Sequence, residues 1–319
     1  MKPPYEITTT ILKLLTTISE QLGAINAAQL QKPSPELRKK NRVKTIRASL
    51  EIEGNTLTEE QITAIIENKR VIGPKKDIVE VVNAIKVYEQ LPTYKPTTQK
   101  SFLAAHKLLM TDLMQNAGKY RKKGVGIVKG EELAHVAPPA ANVPYLMKNL
   151  FTYLKKDEDP VLIKSCVFHY EALFIHPFLD GNGRMARLWQ TLILLQTYAV
   201  FEYLPFETLI KERQQQYYEV LSECDKRGKS TLFITFILQA IHESLDALLQ
   251  LQTPHKTTAE RLDYFLSIFK GTSFSRKDYL LVFKHISSAT ASRDLRFGVE
   301  AGMVRKVGDK RLTRYEVKS

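Results

Sequence analysis

Residues 174–195, with the sequence FIHPFLDGNGRMARLWQTLILL, concentrate side chains that are suited to chemistry on a phosphate. The Gly-Asn-Gly segment allows a sharp turn, and a helical pattern begins directly after it. Backbone amides at the start of a helix, together with the helix dipole, favour an anion. Arg184 and Arg187 share a face of that helix because they are three residues apart, and their guanidinium groups suit phosphate oxygens. The segment therefore predicts an anion site.

His176 and Asp180 add a base and an oxygen ligand to the predicted anion site. Histidine has a reference pKa of about 6.5, so His176 is the natural general base. A carboxylate such as Asp180, placed beside phosphates, is suited to Mg²⁺ that the protein and the substrate hold jointly. The set predicts phosphoryl or nucleotidyl transfer. Each feature alone is more often structural, since Pro-Phe turns, Gly-Asn-Gly loops and solvated arginines are all common, but their conjunction favours function.

The twelve residues from His176 to Arg187 resemble the signature of the Fic family, HPFx(D/E)GNGRxxR, at all nine of its fixed positions. The resemblance covers most of residues 40–225, and its further segments are His-Tyr-Glu at 169–171, Gly-Lys-Tyr-Arg at 118–121, His135, and Pro138 with Pro139. Family members are helical domains that mostly transfer AMP from ATP to a Ser, Thr or Tyr hydroxyl of a protein. The resemblance thus implies a protein adenylyltransferase, with ATP as its substrate and Mg²⁺ as its cofactor.

The resemblance also implies a role for each residue of the signature. His176 would deprotonate the target hydroxyl, and Asp180 would hold Mg²⁺ on the α and β phosphates. The residues implied to bind ATP are Gly181, Asn182 and Gly183, which would line the anion hole, and Arg184 and Arg187, which would orient the β and γ phosphates. A flap of Val125, Gly126, Ile127 and Val128 would clamp the target by strand addition. Tyr217 and Tyr218 are candidates to border the adenine, although aromatics at helical spacing more often belong to the core.

An upstream segment, Ser49-Leu-Glu-Ile-Glu53-Gly54, fits the inhibitory pattern of the same family, (S/T)xxxE(G/N). Ser49 and Glu53 are four residues apart and share a helix face, and Gly54 can end that helix. The resemblance implies that Glu53 pairs with Arg187 and withdraws it from the γ-phosphate. Because the segment precedes the signature, it implies an N-terminal inhibitory helix in the same chain. The alternative is a surface glutamate before a helix end.

The elements that must position these residues are mostly helices. Apolar residues recur at helical spacing in the first segment, Thr58 and Gln61 form a capping-box pattern, and one long helix is expected over 208–249. Residues around the Gly130 turn suggest a short hairpin. We expect a mainly α fold, with a helical Fic domain at 1–252 (core about 98–225) that carries this β-hairpin flap. A small α+β winged helix-turn-helix domain is expected at 259–319, where three helices precede two strands.

Charge and composition constrain the partners. The 319 residues carry a formal charge of +13, and residues 255–319 hold fourteen Lys or Arg against seven Asp or Glu. This excess implies an anionic partner, which leaves open a DNA-binding regulator that uses the Fic domain as a sensor. We expect no membrane partner, since the strongest apolar stretch, 188–204, contains two glutamines and a glutamate. Cys166 and Cys224 are the two cysteines of the sequence, and both lie within helical patterns. We expect them to be buried thiols in a reducing cytoplasm.

Several questions stay open at the level of the sequence. Nothing in residues 122–137 identifies the protein target, and the signature excludes neither another nucleotide nor the reverse, de-modifying reaction. Winged helices bind protein as well as DNA, so the role of the C-terminal domain is open. The chain is also a candidate for self-modification and for a homodimer.

Overall fold

The structure is a computed structural model, and the residues that it describes are 2–27, 35–129, 132–252, 257–269, 271–283, 286–308 and 313–317. For 126–129, 132–136 and 251–252 it describes the backbone alone. The chain divides into two compact units, Met1–Leu249 and Gln250–Ser319. Each unit is described by itself below.

The first unit is built from helices, as the sequence predicts. Their bounds are α1 Thr9–Ala27, α2 Pro35–Glu51, α3 Glu59–Ile66, α4 Lys75–Glu89, α5 Gln99–Leu109, α6 Val143–Lys156, α7 Val161–Ile175, α8 Asn182–Leu195, α9 Glu207–Glu212, α10 Gln214–Arg227 and α11 Thr231–Gln252. Short 3-10 helices lie at Leu91–Thr93, Ala140–Asn142 and Ala199–Glu202. The structure confirms the predicted mainly α fold.

Helices α7 and α8 lie at the centre of this unit and pack against each other. Most of their residues are buried, including Phe168 on α7 and Trp189 on α8. Both rings pack with Phe102 of α5, and Phe178, from the loop between α7 and α8, stacks on Phe102 as well. Large aromatic side chains bury much apolar area, so this cluster anchors the loop that carries the signature.

Local sequence accounts for several helix ends. Thr58 caps α3, and its side chain and that of Gln61 form the predicted capping box. The expectation of one helix over 208–249 was wrong, because the chain forms α9, α10 and α11 there. Gly228 ends α10 in a left-handed conformation with φ 62°, which glycine adopts without steric cost.

The hairpin of the first unit is antiparallel, as predicted. Strand β1, Gly126–Lys129, pairs with β2, Glu132–Val136, and the register shifts between Ile127 and Val128. Val125 lies immediately before β1.

One helix among the described residues is long and apolar enough to cross a membrane by length and composition alone. It is the Thr231–Gln250 part of α11, with mean hydropathy 1.5 and half of its apolar window buried. The expectation that 188–204 is the strongest such stretch was therefore wrong. Phe233, Ile237 and Ile241 of α11 pack in the core of the unit, and core helices pass the same test, so the finding is weak evidence for a membrane span.

The described residues of the second unit form three helices and a small sheet. Its elements are α12 Thr258–Ile268, β3 Ser273–Phe274, α13 Arg276–Val282, α14 Ser288–Glu300, β4 Val304–Val307 and β5 Arg314–Val317. The strands form an antiparallel sheet in the order β3-β5-β4. Its core includes Phe265, Phe274, Tyr279 and Leu295. The winged-helix interpretation of this arrangement stays a prediction.

Candidate functional site

The loop between α7 and α8 presents His176 on a left-handed turn. His176 follows the last residue of α7 with φ 51° and ψ 59°, a conformation uncommon for residues other than glycine. The side chain is partly exposed, and its Nδ1 lies 3.4 Å from the carbonyl oxygen of Leu173. The backbone thus turns away from the helix axis at the residue that is predicted to be the base, and the imidazole is partly accessible to solvent.

Asn182 closes this loop with its own side chain. Its Oδ1 accepts a hydrogen bond from the N–H of Phe178 and its Nδ2 donates to the carbonyl of Phe178, both at 2.9 Å. Gly181 precedes α8 with φ 82° and supplies no side-chain cap to the first turn. The side chain of Asn182 is therefore committed to the loop, so any anion at this end of α8 would meet backbone amides.

Arg184 is buried between two carboxylates. Its NH1 donates to Glu80 Oε1 at 3.0 Å, and its NH2 donates to Asp180 Oδ1 at 3.1 Å. Glu80, on α4, is itself buried and accepts a hydrogen bond from Asn55. Arg184 Nε is buried without a hydrogen-bond partner. The Glu80 contact was missed at the level of the sequence, where no local pattern relates α4 to the signature.

Arg187 is held by the segment that fits the inhibitory pattern. Its Nε donates to Ser49 Oγ at 3.0 Å, and its NH2 donates to the Ser49 carbonyl at 2.8 Å and to Glu53 Oε1 at 2.7 Å. The Arg187 side chain is 1% exposed, and that of Glu53 is 31% exposed. The structure brings together the three residues that the sequence analysis linked.

Glu53 also lies against the start of α8. A Cβ atom on Gly183 would overlap Glu53 Oε1 and would lie 3.1 Å from Arg187 NH1. The absence of a side chain at position 183 therefore lets the carboxylate rest on the first turn of the helix. That is the place where the sequence predicts a phosphate.

Comparisons with known proteins agree with this geometry. The Fic/DOC family profile matches residues 96–194. A crystal structure of a Fic family protein from Desulfovibrio desulfuricans G20 is 39% identical, with a TM-score of 0.76, and the match covers 100% of this chain and 99% of that one. The chain belongs to the Fic/DOC family. A Fic domain containing signaling protein from Bacteroides thetaiotaomicron, 19% identical with a TM-score of 0.60 over 76% of this chain and 97% of that one, shares the fold.

Two curated relatives of this Fic protein carry the name "Protein adenylyltransferase Fic". The protein from Nematostella vectensis is 30% identical over 223 residues, which are 66% of this chain and 49% of the relative. The protein from Drosophila melanogaster is 26% identical over 242 residues, 73% of this chain and 45% of the relative. The chain thus spans about half the length of these relatives.

His106, on α5, supports the loop between α7 and α8, a role that the sequence did not suggest. Its Nδ1 accepts the N–H of Gly118 at 2.8 Å, so the ring proton lies on Nε2, which donates to the Asp180 carbonyl at 3.0 Å. The ring is stacked on Phe178 at 3.5 Å between centroids. Burial lowers the pKa of His106 to about 4, so the imidazole stays neutral and fixes the backbone of Asp180.

His169 and Tyr217 form a buried layer near Arg187. His169 Nδ1 lies 2.6 Å from Gln190 Oε1, and its Nε2 lies 3.0 Å from the Tyr217 hydroxyl. Burial lowers the pKa of His169 to about 3. Tyr217 is itself buried, while Tyr218 is partly buried with its hydroxyl 3.4 Å from the Ile52 carbonyl. Tyr217 therefore packs in the core, where its hydroxyl contacts the buried His169.

The residues of the loop are compatible with one carboxylate ligand for Mg²⁺. The Asp180 side chain is 57% exposed, and its Oδ1 accepts the N–H of Gly181 at 2.6 Å. Among the described residues no group of three His, Cys, Asp or Glu side chains could hold a metal. Mg²⁺ is commonly bound through one or two protein carboxylates together with substrate phosphates, so an exposed Asp180 suits an ion that arrives with a nucleotide.

Proposed function

We propose that this Fic protein is a self-inhibited protein adenylyltransferase, which transfers AMP from ATP to a Ser, Thr or Tyr hydroxyl of a protein target. Two observations support the activity: the curated relatives carry that name, and the loop joins a partly exposed His176 to the start of α8. The chain itself is a candidate target.

In the proposed reaction, the phosphates of ATP lie at the start of α8. Backbone amides of Asn182, Gly183 and Arg184 are at the helix end that favours negative charge. Arg187 would contact the γ-phosphate once Glu53 leaves it, and Arg184 would orient the phosphates from its buried position. Guanidinium groups suit this task because they bind phosphate oxygens through paired hydrogen bonds.

His176 would supply the base. The imidazole takes the proton of the target hydroxyl, whose oxygen attacks the α-phosphorus of ATP. The bond from the α-phosphorus to the bridging oxygen breaks, and diphosphate leaves. Asp180 would hold Mg²⁺ through its exposed carboxylate, and the ion would neutralise phosphate charge.

The hairpin would hold the target. Val125 and the strand Gly126–Lys129 are close in sequence to the GKYR segment, and an extended peptide can pair with a strand edge through main-chain hydrogen bonds. This contact would carry the target hydroxyl to His176 without requiring a particular side-chain sequence.

The contact of Glu53 with Arg187 and Gly183 is the observation that carries the self-inhibition. One carboxylate occupies the helix start and also neutralises the arginine that is assigned to the γ-phosphate. A phosphate and this carboxylate would be like charges in one place, so they exclude each other. Removal of Glu53 should therefore release the activity.

Labelling with α-labelled ATP tests the proposal. We expect Glu53→Gly to incorporate label into protein, in a lysate or into itself, and we expect Glu53→Gly with His176→Ala to lose at least a hundredfold of that rate, since a positioned base contributes roughly 10²–10⁴-fold. ATP labelled at the γ position should give no incorporation. Unlabelled GTP, CTP and UTP as competitors test the nucleotide. If folded Glu53→Gly incorporates no label from α-labelled ATP into protein, the proposal is contradicted.

We infer a second candidate function, DNA binding by the second unit, from the charge on α14. Arg293 and Arg296 are exposed, whereas Asp294, between them, is buried against Arg261. Exposed Arg276 donates from NH1 to Ser292 Oγ of α14 at 2.9 Å. The outer face of α14 is thus more positive than its sequence suggests, and basic residues on one helix face suit the phosphate backbone. The predicted winged helix would place α14 in the major groove.

Fluorescence anisotropy of the full chain with a labelled duplex tests this second function. We expect affinity to fall steeply between about 50 and 200 mM salt, because phosphate contacts release counterions. Arg293→Glu with Arg296→Glu should abolish binding, whereas Lys155→Glu with Lys156→Glu, an equal charge change on α6, should not. Equal loss in both variants, or no binding at low salt, would reject DNA binding.

A further inference from the structure

Arg121 connects the loop that carries His176 to both ends of the hairpin. The side chain is buried, at 3% exposure, and belongs to the Gly-Lys-Tyr-Arg segment. Its guanidinium donates to four backbone carbonyls that come from three separate places in the chain.

Three successive carbonyls around His176 accept hydrogen bonds from Arg121. Its NH2 donates to the Ile175 carbonyl at 3.2 Å and its Nε to the His176 carbonyl at 2.7 Å. Its backbone N–H donates to the Pro177 carbonyl at 2.9 Å. These carbonyls end α7, where the helix dipole favours a cation. Arg121 therefore stabilises the left-handed turn that aims the imidazole of His176.

The remaining contacts of the guanidinium fix the hairpin. NH1 donates to the Lys123 carbonyl at 3.0 Å, shortly before β1 begins, and NH2 donates to the Pro138 carbonyl at 2.5 Å, shortly after β2 ends. The two ends of the hairpin are thus bonded to the same planar group as the His176 turn. Because the guanidinium is rigid, the separation of these parts is set by one side chain.

We infer that Arg121 is a positioning residue for AMP transfer: it sets the distance between the His176 base and the hairpin, and so places the target hydroxyl against both. The inference rests on the proposed adenylyltransferase function. A shift of about 1 Å between reacting groups can cost about a hundredfold in rate. Lysine cannot replace Arg121, since a single ammonium group cannot reach carbonyls that surround a planar fork.

Kinetics in the Glu53→Gly background test this role. We expect Arg121→Lys to lower kcat for AMP transfer to protein by about a hundredfold, while the KM for ATP stays within about twofold, because ATP is assigned to α8. Guanidinium chloride at millimolar concentration should partly restore the rate of Arg121→Ala. Arg227→Lys, which changes an exposed arginine that pairs with Glu223, is the matched control and should leave kcat unchanged. An unchanged kcat in Arg121→Lys, or a parallel loss of kcat and ATP affinity, would overturn the inference.

Hydrogen exchange tests the same contacts without catalysis, so it separates this inference from the proposed function. We expect Arg121→Lys to speed amide exchange in both strands of the hairpin and at His176 and Phe178, and to leave α8 as protected as before. Unchanged exchange in the hairpin overturns the positioning role, even if Glu53→Gly shows no AMP transfer. Faster exchange throughout α5 to α8 would also overturn it, because that result describes a general loss of structure.

Discussion

Arg187 with Glu53 in the first unit and Arg261 with Asp294 in the second are both pairs of a buried arginine and a carboxylate, but they differ in how completely the carboxylate is enclosed. In the second unit, Asp294 is fully buried and accepts hydrogen bonds from Arg261 Nε at 2.6 Å and NH2 at 2.7 Å. The hydroxyls of Thr258 and Tyr279 bond to it as well. In the first unit, Glu53 gives Arg187 one hydrogen bond acceptor and remains 31% exposed.

This difference in exposure determines which carboxylate can leave its arginine at modest cost in free energy. Leaving a buried charge without its partner is costly, so a pair enclosed on every side is a permanent part of the core. A partly exposed carboxylate can return to water at modest cost, because water replaces the contact that it gives up. If Glu53 left, the hydroxyl and the carbonyl of Ser49 would still be available to accept hydrogen bonds from Arg187. The Arg261–Asp294 pair is therefore structural, and the Arg187–Glu53 pair is suited to a switch.

Asp294→Ala should give the largest effect. We expect the second unit to lose roughly 3–5 kcal/mol in free energy of unfolding, since Arg261 would remain buried and unpaired. Urea unfolding followed by circular dichroism should then show an early phase that Trp189 fluorescence does not show, because Trp189 is the single tryptophan and lies in the first unit.

The control for Asp294→Ala is Glu316→Ala in the same unit. It removes the exposed pair with Arg305, whose side chain is 68% exposed, and such pairs contribute about 1 kcal/mol or less. Equal destabilisation by the two variants would show that enclosure does not set the strength of these pairs.

Acid should weaken the second unit through the same residue. Burial acts to raise the pKa of Asp294, but the hydrogen bonds from Arg261 and Thr258 outweigh it and lower that pKa below its usual value. Its contribution to stability is present above the unfolded-state pKa of about 3.9 and is lost as pH falls toward the folded-state pKa. Unfolding curves between pH 6 and about 3 measure this loss, and Asp294→Asn should flatten it. The same slope in both proteins would assign the acid sensitivity to other groups.

Ser49→Ala should have a smaller effect in the first unit. It removes the Oγ acceptor of Arg187 Nε but leaves the Ser49 carbonyl in place. We expect a loss of about 1–3 kcal/mol by Trp189 fluorescence, the usual cost of an unsatisfied buried donor. Ser49→Thr is the matched control, since it keeps the hydroxyl. A loss in Ser49→Thr as large as that in Ser49→Ala would point to packing rather than to the hydrogen bond.

Glu53→Gln should change stability least, by about 1 kcal/mol or less, because the side chain is partly exposed. The amide keeps the shape of the carboxylate but removes its charge. Under the proposed function, AMP incorporation should rise to a level between those of the wild type and Glu53→Gly. Incorporation equal to Glu53→Gly would assign the inhibition to charge alone, and incorporation equal to the wild type would assign it to occupancy of the space beside Gly183.

The sequence predicted those parts of the fold and site that depend on local pattern. Apolar spacing in the first helix, the cap at Thr58 and the hairpin follow from rules that act over a few residues. The pairing of Glu53 with Arg187 came from a family resemblance, and the structure places the two residues in contact.

The contacts that the sequence missed join distant segments. Glu80 meets Arg184 across 104 residues, His106 meets Asp180 across 74, and Arg121 meets His176 across 55. In each case the residues nearby in the sequence do not indicate the partner, because the partner depends on packing of the whole unit. Arg121 belongs to a segment of the family resemblance, but that segment does not indicate its contact with the His176 turn. The expectation of a single helix over 208–249 was wrong for a local reason, since Gly228 ends α10 in a left-handed conformation.

Because Gly183 has no side chain, the start of α8 has space for the Glu53 carboxylate or, under the proposed function, for a phosphate of ATP. If ATP binds there as proposed, its apparent affinity is its intrinsic affinity multiplied by the fraction of molecules in which Glu53 has left. A chain that is 99% closed would bind ATP about a hundredfold more weakly than an open one. Each tenfold rise in nucleotide concentration would offset about 1.4 kcal/mol of the free energy that favours the closed state. Under the proposed function, the free energy of the Glu53–Arg187 contact would then set the ATP concentration at which the protein becomes active.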